Sequence, residues 1–185
     1  MNRNSVSLRS ARQMGRLLGV FLLPTVLMWA AGEGRVEKTF DTTREPRISL
    51  VNLQGHVLVR GWDKAQVHVV YAVVSPRVEI DSEIIPNTGP AEKIHFDTHL
   101  LDATLPVDEQ GADYTLDVPA GASLEIRNSQ GKILVQGMQA DASVQSVGAD
   151  ISIRDYSGRL MVHSVAGDIE IIRPAGNVEA YSITG

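Results

Sequence analysis

Apolar and polar residues alternate along most of the chain after residue 33, which is the pattern of half-buried β-strands. Clear examples are residues 67–74, 114–118, 133–135, 151–153 and 169–171. Successive side chains of a strand point to opposite faces, so alternation buries one face and exposes the other. Branched aliphatic residues dominate these segments, and Gly, Asn, Asp or Pro separates them. The sequence therefore predicts an all-β protein.

The last third of the sequence contains a repeat. Its serines lie 17, 18 and 18 positions apart: Ser129, Ser146, Ser164 and Ser182. Glycines midway predict a second turn in each period: Gly137, Gly158 and Gly176. A unit with two short strands and two turns can bury its apolar face only against a neighbouring unit. We therefore predict a β-solenoid, single-stranded and right-handed like a β-helix, with parallel pairing between units. An antiparallel β-sandwich with regular turns is the alternative.

Three segments are predicted. Residues 1–32 carry four Arg and no acidic residue, and a run of ~15 apolar residues ends in small ones, as in a secretory signal peptide. That run is shorter than the ~20 residues of a membrane span, and an uncleaved anchor is the alternative. Residues 33–120 form a less regular, proline-containing β section that caps or flanks the repeat. Residues 121–185 form the repeat region of the same domain.

The repeat stops at residues 182–185, at the phase where the preceding unit continues into a strand. An unpaired strand edge can pair with another chain. We therefore expect either a chain truncated at its C-terminus or a last unit completed by a partner, including self-association through this open end.

The net charge and the absence of cysteine exclude several classes of partner and site. Without residues 1–32 the chain has 13 Lys and Arg against 22 Asp and Glu, a net charge of −9. Such a balance argues against nucleic acid as a partner, because phosphates require a basic surface. The absence of cysteine excludes disulfides, thiolate zinc sites, a cysteine nucleophile and a lipoprotein anchor.

Two groups of residues could carry chemistry. His95, Asp97 and His99 would share one face of a strand and could bind zinc or another divalent metal, although a solvated outer face explains them as well. Asp150 and Asp168 lie one period apart and could bind calcium or act as an acid–base pair. Their simpler role is in tight turns, where Asp bonds its own backbone. We assign no catalytic residue and no cofactor, and these five residues are the candidate metal ligands.

Two further features do not indicate a functional site. His163 and Ser164 are neighbours on a strand and would point to opposite faces, so we do not read them with Asp168 as a catalytic triad. The aromatic residues are few and scattered, and we expect Trp62 to cover an end of the core rather than to bind a sugar.

Several segments carry a resemblance to a known family. They are residues 50–62 (Leu-Val-Asn-Leu-Gln-Gly-His-Val-Leu-Val-Arg-Gly-Trp), residues 118–124 beginning Val-Pro-Ala-Gly, and the repeats Ser-Val-Gly-Ala-Asp-Ile and Ser-Val-Ala-Gly-Asp-Ile. In this order they resemble the putative adhesin family of bacterial envelope proteins, over about residues 40–185. The resemblance implies a β-helix-like solenoid exported to the envelope, without known catalytic residues or a defined ligand.

Together these observations predict a non-enzymatic exported protein, located in the periplasm, at the cell surface or outside the cell. Its solenoid would act as a scaffold or as a binding surface for a protein, a glycan or an envelope polymer. The alternatives are a carbohydrate-active enzyme on a β-helix and a periplasmic sensor domain anchored by its N-terminal segment.

Overall fold

A computed structural model describes residues 34–184, and this part of the chain is all-β, as predicted. The predicted signal peptide, residues 1–32, lies outside the described residues. Ten strands of residues 34–184 belong to one sheet. They are β1 Arg35–Trp62, β2 Gln66–Val73, β3 Val78–Ile85, β4 Ala91–Leu100, β5 Ala112–Pro119, β6 Ser123–Gln136, β7 Ala142–Tyr156, β8 Leu160–Ala166, β9 Ile169–Pro174 and β10 Val178–Thr184.

The strands of the repeat region pair in parallel with a constant offset. From β6 onward each residue pairs with the residue 18 positions later, as Leu124 does with Ala142 and Ala142 with Leu160. The first part of β7 pairs with β8 and its second part, from Ile151, pairs with β9. Each 18-residue segment therefore contributes two stretches of strand, and we call such a segment a repeat unit.

The observed pairing differs by one residue, at the start of the repeat, from the pairing that the serine spacing predicted. Asn128, not Ser129, pairs with Ser146, and Ser146 pairs with Ser164. Asn128 is buried, whereas Ser129 is partly exposed. The offset is thus 18 throughout, because Asn and Ser fill the same inward position and both can bond the backbone of the following turn.

β1 joins the repeat to the rest of the described chain. Its residues from Arg47 to Val51 pair with β4 on one edge and with β6 on the other, parallel in both cases. Its last residues pair with β5 in the same way, and β2 lies antiparallel to both β1 and β5. β3 and β4 form an antiparallel pair. Strands β2–β5 therefore lie on the side of β1 opposite to β6.

Branched aliphatic residues from successive strands stack in register to form the core. One such column contains Leu50, Ile126, Val144 and Val162, all at most 3% exposed. Burying a side chain of this size contributes about 1.5–3 kcal/mol, so truncating any one of them to Ala would open a costly cavity. The regular column explains how a chain without disulfides can hold its strands together.

A second column inside the molecule is polar and satisfies the backbone at a turn. Asn52 and Asn128 are at most 2% exposed and pair in register. The side-chain amide of Asn128 donates to the carbonyl oxygens of Gln130 (2.9 Å) and Gly55 (3.1 Å). The amide of Asn52 makes two bonds of the same kind. Backbone carbonyls that are buried or partly buried thus gain a side-chain donor.

Candidate functional site

The described surface carries a groove made of two adjoining cavities. The first has a volume of about 610 Å³ and is lined by charged side chains, among them Arg44, Arg47 and Lys93. The second, about 490 Å³, is lined by Trp62, Lys64 and the turns that precede and follow β6. Arg44 and Glu45 line both cavities. We call the two together the corner groove.

An irregularity in β1 creates the first cavity. The pairing of β1 with β4 shifts between Thr42, which faces Ala91, and Arg47, which faces Lys93. Between these two pairs, β1 contains three more residues than β4. Such bulges bend a strand and re-aim its side chains. As a result Arg44 and Glu45 are exposed, while Pro46, which has no N–H to pair, is buried.

Within residues 34–184, the basic side chains of the first cavity form no ion pair. Arg47 on β1 lies in register with Lys93 on β4. No carboxylate of residues 34–184 lies within 4.0 Å of the cationic groups of Arg44, Arg47 or Lys93. In the same range, by contrast, five arginines each form an ion pair: Arg60, Arg77, Arg127, Arg154 and Arg173. Like charges on facing strands repel each other, so these cations are available to an anion.

Trp62 lines the second cavity, and its ring is fixed by the backbone. The indole Nε1 donates to the carbonyl oxygen of Gln66 at 2.7 Å. The ammonium group of Lys64 lies 4.6 Å from the ring centroid. Trp62 is half-buried, so part of its ring is accessible from the cavity, and its role as a cover of the core stays a prediction. The sequence signal for this site was a Gly-Trp pair after a strand, followed by Lys64.

The structure places His95, Asp97 and His99 on one face of β4, as predicted, and the residues between them are buried. His99 lies 3.6 Å from a carboxylate oxygen of Glu79 and 3.8 Å from one of Asp81 on β3. Within residues 34–184, no three His, Asp or Glu side chains are grouped so as to hold a metal ion. Metal binding at these residues stays a prediction.

Asp150, within β7, and Asp168, between β8 and β9, lie on successive repeat units. The carboxylate of Asp150 accepts a hydrogen bond of 3.3 Å from the backbone N–H of Asp168, and the carbonyl of Asp168 accepts one of 2.8 Å from the N–H of Ile151. The carboxylate of Asp113 accepts a hydrogen bond from the backbone N–H of His56 in a similar way, at 2.7 Å. These bonds link neighbouring strands, while the turn role, the acid–base pair and calcium binding stay predictions.

His163 and Ser164 point to opposite faces of β8. His163 is exposed and packs edge-on against Tyr181, with ring centroids 5.0 Å apart. Ser164 is buried, and its hydroxyl donates to the carbonyl oxygen of Ala166 at 2.6 Å. An imidazole on one face cannot act as a base for a hydroxyl on the other, so the discounted triad does not form.

A polar network on β1, β2 and β5 was not anticipated from the sequence. Arg60 and Asp117 form a two-point ion pair, with N–O distances of 2.7 and 3.0 Å. His68 lies between Asp117 (3.4 Å) and Glu37 (2.8 Å). The partners are 31 to 57 positions apart in the chain, and only the pairing of the strands brings them together. The network ties three strands on their outer face.

Within residues 34–184, no helix is sufficiently long and apolar to cross a membrane. No protein-family model matches the chain, and no curated protein matches it either. One solved structure, a putative cell adhesion protein from Clostridium sporogenes, is 9% identical, with a TM-score of 0.35; the match covers 80% of this chain and 100% of that one. Another, a putative adhesin from Parabacteroides merdae, is also 9% identical, with a TM-score of 0.20 and coverages of 83% and 95%. Both are distant neighbours, and neither assigns a role to a residue of this chain.

Proposed function

We propose that the protein is a non-enzymatic, exported envelope protein whose strands coil into a β-solenoid and present a binding surface. The observation that carries the proposal is the constant 18-residue offset of the parallel pairing. Because the two parts of β7 pair with different strands, consecutive repeat units bend at the same place and stack. A stack of this kind offers broad, regular outer faces for recognition.

The placement of the reactive side chains supports a role in binding rather than in turnover. Asp155 and Arg173, on successive repeat units, form a two-point ion pair with N–O distances of 2.5 and 2.9 Å. Ser152 donates to Glu170 across the same units at 3.1 Å. Outward groups of the repeat thus tie neighbouring units together. An enzyme on this scaffold would need acids that converge on a substrate.

The edges of β9 and β10 that are unpaired among the described strands agree with the same proposal. Among the described strands, β9 pairs with β7 and β10 pairs with β8, each along one edge. Val178 and Ile183 are 36% and 60% exposed. A strand from a partner, including a second copy of this chain, could pair with this edge, and self-association through it stays a prediction.

Export can be tested by fractionating cells that express the full chain with a C-terminal tag. We expect the protein in the envelope or periplasmic fraction, with an N-terminus near residues 30–32 when the leader is cleaved and at Met1 when it is retained as an anchor. The matched control is Leu22→Asp, which places a charge in the apolar run and should hold the protein in the cytoplasm. A wild-type protein that stays in the cytoplasm would refute export.

The non-enzymatic role has a separate test. We expect the purified protein to leave a panel of polysaccharides uncleaved. Turnover that Asp150→Ala or Asp168→Ala abolishes, while a surface control outside the cavities such as Asp108→Ala does not, would establish the carbohydrate-active alternative instead.

A further inference from the structure

We propose that the corner groove binds an anionic oligosaccharide, with the acid group held by Arg44, Arg47 and Lys93 and a sugar ring packed on Trp62. This inference rests on the proposed function and names the class of ligand that the exported surface would take.

The anionic group follows from the basic end of the groove. The described chain is acidic overall, yet Arg44, Arg47 and Lys93 lie at one site without a carboxylate within ion-pair distance. The register holds Arg47 directly beside Lys93. Their positive charges repel each other, and a bound anion would relieve this repulsion. A guanidinium group binds a carboxylate or a sulfate through two parallel hydrogen bonds, which an ammonium group beside it strengthens.

The acidic side chains of the same cavity argue against a simple polyanion as the ligand. Glu45 and Glu92 line it together with the three cations. They would repel a strand of closely spaced phosphates. A saccharide instead carries one charge among many hydroxyl groups, and those hydroxyls can donate to Glu45 and Glu92. The mixed lining therefore fits a sugar acid better than a nucleic acid or a polyphosphate.

The ring-binding end follows from Trp62. Its indole is oriented by the bond to the Gln66 carbonyl and offers an apolar surface with a polar edge. Lys64, which lies over the ring, is an exposed and flexible side chain that can move aside or contact a second acid group. Gln139 adds an amide to the same cavity. An apolar platform with a few polar groups is the usual composition of a small-molecule site.

The size of the groove also agrees with an oligosaccharide ligand. Each of its two cavities, about 610 and 490 Å³, lies within the range of ~300–1,000 Å³ that is typical of ligand sites. Arg44 and Glu45 line both, so the two cavities adjoin. An oligosaccharide that spans them would place the charged ring and the stacked ring at successive positions of one chain.

Isothermal titration calorimetry of the purified full-length protein tests the inference with four probes. They are trigalacturonic acid, its fully methyl-esterified form, which is neutral, a sulfated trisaccharide and inorganic sulfate. We expect at least one of the two anionic saccharides to bind, the neutral ester to bind at least tenfold more weakly, and added salt to reduce the affinity. The two anionic saccharides distinguish a uronate ligand from a sulfated one.

Two sets of variants locate the site. The double variant Arg47→Gln, Lys93→Gln and the single variant Trp62→Leu should each weaken binding by roughly tenfold or more, since each removes a charged or stacking contact. The control is Lys132→Gln, Arg159→Gln, which removes the same charge from two unpaired cations outside the groove and should change the affinity less than twofold. Thermal unfolding monitored by circular dichroism verifies that every variant is folded.

Four results would overturn the inference: no binding of either anionic saccharide, equal binding of the neutral ester, an equal loss in the control variant, and binding of inorganic sulfate as tight as that of the saccharide. Each of these would leave the proposed function standing, because export and the absence of turnover are measured separately. Cleavage of a probe, in contrast, would refute the proposed function itself.

Discussion

Gly158, in the turn between β7 and β8, is where the structure makes its sharpest stability prediction. A Cβ atom at this position would lie 2.0 Å from the carbonyl oxygen of Ala140, one repeat unit earlier, whereas ordinary contacts begin at 3.4 Å. The turn would have to move by more than an ångström, although Ala142 donates to the carbonyl of Arg159 beside it at 2.8 Å. Overpacking against backbone together with a weakened hydrogen bond should cost about 3 kcal/mol in Gly158→Ala.

The matched control for this prediction is Gly137→Ala. Gly137 has a φ of 72°, and its Cβ would meet no atom closer than 3.6 Å, so only the left-handed backbone is penalised, by about 1 kcal/mol. For a domain of this size the melting temperature should fall by about 6–12 °C in Gly158→Ala and by about 2–4 °C in Gly137→Ala. Circular dichroism melts and urea titrations measure both. A Gly158→Ala protein at least as stable as Gly137→Ala would show that the turns do not stack this closely.

Two further predictions concern polar side chains of β6 and β7. Asn128→Ala should cost about 1–3 kcal/mol, because two partly buried carbonyls lose their donor. Asn128→Ser should cost less, since the register places Ser146 in the next unit at the same position; equal losses in urea titrations would contradict this. The hydrogen bonds from Arg173 lower the pKa of the Asp155 carboxyl, so its stabilisation is present above the ordinary Asp pKa, near pH 4, and is lost as the pH falls through the lowered value. The stability difference between wild type and Asp155→Asn should therefore be larger at pH 7 than below pH 3, and a difference independent of pH would refute the assignment.

The existence of strands could be read from the sequence, but their continuity could not. Alternation predicted the all-β class because it follows from burying one face of a strand. Glycine was expected to separate the strands, yet β1 runs through Gly55, which adopts a φ of 122° and pairs with Gly131. Whether a glycine ends a strand depends on the neighbouring strand, and the local sequence contains no information about that neighbour.

The candidate sites divide in the same way. The common face of His95, Asp97 and His99 was predictable because it needs only the alternation along a single strand. The corner groove depends on the bulge before Arg47 and on the register that brings Lys93 beside it. These residues are 46 positions apart, and one sequence does not specify the register of such distant partners. The same limit applies to the network of Arg60 and Asp117.

The pairing of β1 also has a consequence for the order in which the molecule assembles. Arg47 and Ser123, which begin the pairing of β1 with β6, are 76 positions apart, whereas each later contact joins residues only 18 apart. Closing the longer loop costs about 1 kcal/mol more in chain entropy. During synthesis β4 and β5 are complete before β6 emerges, so one edge of β1 can be occupied first. The other edge then serves as a template, and each further unit can dock as soon as its own 18 residues have been made.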